Sequence, residues 1–208
     1  MTIKDIHDFM DLICDKEQIG YFTPGEKDKF LDRASLWQFN DYRKTYAENI
    51  EAYEALAPFK DELDYTTSSQ GVYTVAGNRN YVQLRAMDVS VVDPDYGARR
   101  FDVDFPKEDE LAERKKSQLI PPSATAPIGE EIAAGSFRLY PAQVHAGTLR
   151  FFRRPAVPVF GFTQSGRVIT YDSGTSTQLE WTEPYVNGVI FKAIQFMGIN
   201  LDNKMLQE

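Results

Sequence analysis

One cysteine and two histidines are all that the 208 residues offer of thiol and imidazole ligands. Cys14 has no partner for an internal disulfide, and together with His7 and His145 it falls short of a four-ligand zinc site, which argues against thiol and structural-zinc chemistry. No apolar run approaches the roughly 20 residues that a membrane span requires. The opening MTIKDIHDFM lacks the basic region and long apolar core of an export signal, so a soluble protein made in the cytoplasm, without membrane contact, is expected. The phosphate loop G-x-x-x-x-G-K-S/T, the zinc helix H-E-x-x-H, the nucleophile elbow G-x-S-x-G and the dinucleotide fingerprint G-x-G-x-x-G are all missing. Basic charge is also short. With 23 Lys and Arg against 31 Asp and Glu, the net charge of -8 opposes wrapping of nucleic acid, which needs clustered cations to release counterions. An acidic surface would instead let DNA pass without sticking.

What is present reads as a mixed α+β chain: an N-terminal helix-loop-helix unit over 1–60, then a β-rich region with antiparallel hairpins and a C-terminal helix over 61–208. At this length folding buries roughly 70% of the unfolded surface, so no staple is needed. Ile6, Phe9, Met10 and Ile13 recur at helical spacing, with Asp5, Asp8 and Asp11 on the other side. A second helix opens on Thr23 as N-cap, Pro24 at its first position and Glu26 three residues after the cap, and continues on one face with Phe30, Leu31, Ala34 and Trp37. A third runs from Tyr46 to Leu56 and ends before Pro58.

The loop from Asp15 to Glu26, DKEQIGYFTPGE, resembles the twelve-residue calcium loop of EF-hands, with acid first, Gly20 sixth and Glu26 last. Ile19 stands where an oxygen ligand belongs, Glu17 is longer than the usual Asp or Asn, and Glu26 already has a role in the cap. A plain helix connection is the expectation.

Strand patterns follow at Val72–Val75, Tyr81–Leu84, Val89–Val92 and Phe101–Phe105, with turns at Gly77-Asn78 and from Asp93 to Gly97. The run from Lys107 to Lys116 is a short charged helix in which Glu110 precedes Arg114 by four residues. A proline-rich linker from Pro121 to Pro127 leads to a strand over Ser136–Tyr140. The stretch Thr148–Tyr171 then reads as strand, proline-broken strand, turn at Gly166, strand. Its arginines fall on both faces, which predicts a strand that leaves a small sheet and meets something acidic. Val186, Val189, Ile190, Ala193, Ile194 and Met197 mark one face of a last helix, capped by Thr182 and stopped by Gly198, with Gly188 costing about 1 kcal/mol inside it.

No arrangement of residues points to catalysis. Carboxylate pairs such as Glu130 with Glu131, or Asp102 with Asp104, are expected by chance among 31 acids, and neither histidine has a Ser or Cys partner in a recognisable setting. A non-enzymatic chain without cofactor or metal is expected. Arginine and aromatic residues are enriched where proteins meet, and aromatics make up 13% of this chain. Arg99, Arg100, Arg150, Phe152, Arg153 and Arg154 are therefore the candidate subunit interface, with Leu201, Met205 and Leu206 of the C-terminal tail.

Taken in order, KEQIGYFTPGEKDKFLDRASLWQFNDY, the proline-rich linker before SFRLYPAQ, then LRFFRRPAVPVFGF, YDSGTSTQLEW and FMGINL resemble the head-to-tail connector, or adaptor-ring, proteins of crAss-like and related tailed phages. The match covers Lys16–Tyr42 and Asp104–Leu201; the region from Ile50 to Val103 departs from it. The resemblance implies a virion structural protein of the phage neck, made in the host cytoplasm. About a dozen copies would form a homo-oligomeric ring beneath the portal protein, touching further neck and tail proteins, with DNA passing through without sequence-specific binding. The tail from Asp202 to Glu208 would order on a partner. Another neck or tail protein, or a carbohydrate-binding module, is the alternative.

Overall fold

The first helix, α1 (Ile3–Glu17), buries Ile3, Ile6, Met10 and Cys14, a row at three- and four-residue steps that shifts the expected stripe slightly toward the N-terminus. In this computed structural model the described residues are 1–17, 21–75, 80–93, 97–166 and 168–199, without the side chains of 16, 17 and 93. Two compact units result, one of residues 1–58 with the chain from Pro155 onward, the other of Phe59–Arg154. The segment after Arg154 groups with the N-terminal helices, because its own helix has an apolar face that packs along the second one.

In the first unit, α2 (Pro24–Thr45) begins as expected, with the Glu26 carboxylate accepting from the Thr23 N–H at 2.8 Å and from its hydroxyl at 2.7 Å. Its buried row is Lys27, Leu31, Ala34, Ser35, Gln38 and Phe39, not the row through Trp37. Trp37 is exposed, with the Lys192 ammonium 4.1 Å from its ring centroid. Helix α3 is shorter than expected, Ile50–Ala55, because Asn49 caps it through a bond from the Glu51 N–H at 2.9 Å. Helix α5 (Glu183–Phe196) follows Thr182 and stops at Gly198, whose φ of 86° suits glycine. Between α3 and α5 in sequence, this unit also holds the hairpin whose strands span Phe162–Ser165 and Val168–Tyr171. Trp181 is buried and donates to Ser35 Oγ at 2.8 Å. His7 is buried too, stacked on Phe160 at 4.6 Å, with its Nε2 3.0 Å from Asp28 Oδ1; both Asp28 oxygens accept the Phe160 N–H.

The second unit is two sheets with one helix. Strands β1 (Lys60–Thr66), β2 (Val72–Thr74), β3 (Tyr81–Asp93), β4 (Gly97–Asp102), β5 (Ile128–Ala133), β6 (Ser136–Tyr140) and β7 (Ala146–Arg153) pair antiparallel in the orders β1-β7-β3-β4 and β2-β6-β5. With β8 and β9 as the hairpin strands named above, and α4 (Glu108–Lys116), the chain is of the mixed α+β class expected from its patterns. Two expected strands, 81–84 and 89–92, are one: β3 continues through Arg85–Asp88 and absorbs two register shifts against β7, between Tyr81 and Gln83 and between Leu84 and Ala86. Strand β4 ends at Asp102, three residues short of Phe105. The Gly77-Asn78 turn and most of the turn after Asp93 lie outside the described residues.

Strand β7 does not leave its sheet; it is flanked by β1 and β3. Leu149 and Phe151 face a core with Tyr65, Val75, Met87, Val89, Val103, Phe137 and Leu139, so this side of the four-stranded sheet packs against the three-stranded one. Pro155 and Pro158 come after its last residue, where no ladder donor is required.

Candidate interaction surface

Side chains alternate across a strand, so the other face of the four-stranded sheet is fixed by the same register. Glu62 stands opposite Arg150 and Asp64 opposite Thr148 on β1 and β7; Ala86 stands opposite Arg150 on β3; Asp88 stands opposite Asp102 and Ser90 opposite Arg100 on β4. All of these residues share one face, and most are polar or charged. The core is on one side of the sheet and a charged layer on the other.

Asp88 is the centre of that layer. Its side chain is only 4% exposed, yet it lies among cations: Arg150 Nη2 at 3.4 Å and Arg100 Nη1 at 3.6 Å reach its Oδ2, while the Thr148 N–H donates to Oδ1 at 3.1 Å. Arg100 also donates to Thr148 Oγ1 at 3.0 Å, which in turn donates to Asp64 Oδ1 at 3.1 Å, and Arg150 Nε donates to Glu62 Oε2 at 3.3 Å. A buried carboxylate requires such partners, because loss of its hydration is offset only by charge and hydrogen bonds. The backbone around it is equally tight. A Cβ on Gly147 would fall 1.9 Å from the Asp88 carbonyl oxygen, so only glycine lets β7 pass there. That carbonyl accepts from the Tyr65 hydroxyl at 2.8 Å, and burial, with Asp88 nearby, pushes the Tyr65 phenol well above its usual range.

The predicted interface residues are thus brought together only in part. Arg100 and Arg150 converge on Asp88. Arg99, one residue before Arg100, takes the opposite parity, across from Val91, and is exposed. Phe152 is buried, with the Arg85 guanidinium 5.3 Å from its ring centroid, and so is not available as a surface aromatic. Arg153 lies 6.0 Å from the Phe59 ring centroid, and the Arg154 N–H closes the end of the sheet on the Asn80 carbonyl at 2.7 Å. Leu201, Met205 and Leu206 lie outside the described residues. Sequence patterns missed Glu62, Asp64 and Asp88. The alternation of acids with Leu63 and Tyr65 in KDELDYT is a legible strand signal, whereas nothing local marks Asp88 for burial.

Three of the four carboxylates considered for catalysis are occupied otherwise, and Asp102 is exposed on β4. Glu130 accepts from Lys115 Nζ at 2.9 Å, Tyr140 OH at 3.0 Å and Arg138 Nη1 at 3.2 Å. Burial pushes its carboxyl up, but the hydrogen bonds from Lys115 and Tyr140 outweigh it and hold the group below the usual carboxylate range. Glu131 takes the other parity on β5 and accepts the Gly135 N–H at 3.1 Å. Asp104 pairs with Arg114 at 2.5 Å, and Arg114 with Glu110 at 2.6 Å as the spacing predicted. His145 is buried with Nε2 2.8 Å from the Pro141 carbonyl oxygen. In the EF-hand-like segment, Asp15 and Glu17 belong to α1 and Glu26 to the cap of α2, while Gly20 and Ile19 are outside the described residues. Among the described residues no group of three or more His, Cys, Asp and Glu could hold a metal ion, and no helix is long and apolar enough to cross a membrane.

No protein-family model and no curated protein matches this chain.

Proposed function

We propose that this protein is a non-enzymatic structural subunit of the neck of a tailed phage, assembled as a ring of about a dozen copies between the portal and the tail. The observation that carries this reading is the ordered set of strings LRFFRRPAVPVFGF, YDSGTSTQLEW and FMGINL, which resembles the head-to-tail connectors of crAss-like phages. Three further features support it. One face of the four-stranded sheet carries a charged layer, Glu130 and Asp104 are each engaged with cations, and the net charge of -8 suits a wall that DNA slides past. In this reading Arg99, Arg153 and Arg154 with the tail residues Leu201, Met205 and Leu206 face the portal or a neighbouring subunit, and no cofactor is required.

Quantitative mass spectrometry of purified particles, referenced to the portal and the major capsid protein, tests it. A copy number equal to that of the portal is expected. Hundreds of copies would indicate a capsid or tail-shaft protein, and none would indicate a protein used only during infection; either overturns the reading.

A further inference from the structure

Among the described residues the four-stranded sheet ends in two strands, β1 and β4, each laddered on one side, and they differ in charge; the outer side of the chain is taken up only beyond Asp102, where Asp104 bonds to Pro127 and Gly129. At one edge, β1 carries Asp61, Glu62 and Asp64 with a single cation, Lys60; at the other, β4 carries Arg99 and Arg100 with a single acid, Asp102. Glu62 and Asp64 are exposed, as are Gly97–Arg100 and Asp102. Charge on an edge strand ordinarily keeps copies of a protein apart. Opposite charge on the two edges of one sheet disfavours each edge meeting its own kind and favours each meeting the other.

Strand direction permits that meeting. Neighbours alternate throughout β1-β7-β3-β4, so β4 runs opposite to β1. A second copy laid with its β4 outside β1 would continue the antiparallel alternation without reversal. We propose that copies of this chain join by β-strand addition, β4 of one against β1 of the next, in the register that sets Glu62 opposite Arg100 and Lys60 opposite Asp102. These four residues share the charged face of the sheet, so the layer centred on Asp88 runs on across the seam. Sliding by two residues in one direction sets Arg100 opposite Lys60, and in the other sets Asp102 opposite Glu62, where the like pair offsets the Arg100–Asp64 pair formed beside it; only the proposed register has two opposite-charge pairs and no like pair, and sliding by one turns the charged face into the core side. The contact is heterologous, and each added copy leaves one acidic and one basic edge for the next, which is the property a ring requires. As an account of the seam of that ring it rests on the connector reading, but the pairing itself is a property of the purified chain.

Cysteine pairs test it on the full chain. Within one molecule, position 62 aligns with Ala86 and position 100 with Ser90 on β3, so the two are three strand spacings apart and four residues offset, roughly 20 Å, which is too far for a disulfide. Oxidation of an equimolar mixture of E62C and R100C chains is expected to give a covalent dimer on non-reducing gels, neither variant alone doing so, and the doubly substituted E62C/R100C chain is expected to give a ladder. Because Arg100 also holds Asp88, K60C with D102C provides a second pair in the same register. Silence of both pairs in folded protein overturns the proposal, as does cross-linking of E62C to itself, which would mean that the acidic edges meet. Particles with the portal's copy number but silent cysteines would keep the connector and remove this seam; cross-linking by a chain absent from particles would do the reverse.

Discussion

Gly188 sits against Gln38: a Cβ added to this glycine of α5 would lie 2.6 Å from Gln38 Oε1 on α2, and the Gln38 amide donates to the Tyr185 carbonyl at 3.0 Å. The glycine that looks like a flaw in an apolar helix is the position where the buried Gln38 side chain approaches α5. Alanine there would gain about 1 kcal/mol of helix propensity and disturb a hydrogen bond worth about the same. Gly188→Ala is therefore expected to leave stability within about 0.5 kcal/mol of wild type, yet to stabilise a Gln38→Ala background by about 1 kcal/mol. Denaturant midpoints of the four proteins measure the coupling, and equal effects in both backgrounds would show that the two residues do not interact.

Replacing Asp88 removes the anion that two guanidinium groups share and leaves the Thr148 N–H without its acceptor. Asp88→Ala should cost about 2–4 kcal/mol, while Asp88→Asn, which keeps an oxygen for Thr148, should cost less. Chemical denaturation reads both; an alanine variant as stable as wild type would mean that the charged layer contributes nothing to the sheet.

Glu130 makes stability depend on acid. Its carboxyl is held below the ordinary 4.5 in the folded protein, so the contribution is present above that value and is lost as pH falls through the lower, folded-state value. Glu130→Gln should melt below wild type at neutral pH, and the gap should close on acidification once the folded carboxyl takes up its proton. A gap that is constant with pH would assign the effect to packing instead.

Glu26 caps a helix through both the N–H and the hydroxyl of Thr23. Glu26→Ala is expected to cost about 1 kcal/mol, and added calcium should leave the melting temperature of both proteins unchanged. A calcium-dependent rise in wild type that the variant lacks would restore the EF-hand reading of Asp15–Glu26.

The helices were legible because caps and periodicity are local. Thr23, Pro24 and Glu26, or Thr182 and Gly198, announce their ends within a few residues. Trp37 was misplaced because a stripe drawn through large residues ignores that Ser35 and Gln38 have partners at Trp181 and Tyr185 far along the chain. β7 was misjudged for the same reason. Arginine on both faces suggests a departing strand only until Glu62 and Asp88 arrive from neighbours 88 and 62 residues away in sequence. Arg100 and Arg150 could be chosen from the sequence as a pair of interest, but their common anion could not, since one carboxylate among 31 acids is distinguished only by register.

The antiparallel pairing of β1 with β7 brings the two ends of the second unit side by side. Lys60 lies across from Phe152, so the second unit starts and finishes on adjacent strands whose backbones are about 5 Å apart. A segment with neighbouring ends can be gained or lost by the surrounding polypeptide without moving the residues on either side of it, as a cassette is exchanged in a holder. Residues 59–154 have this form.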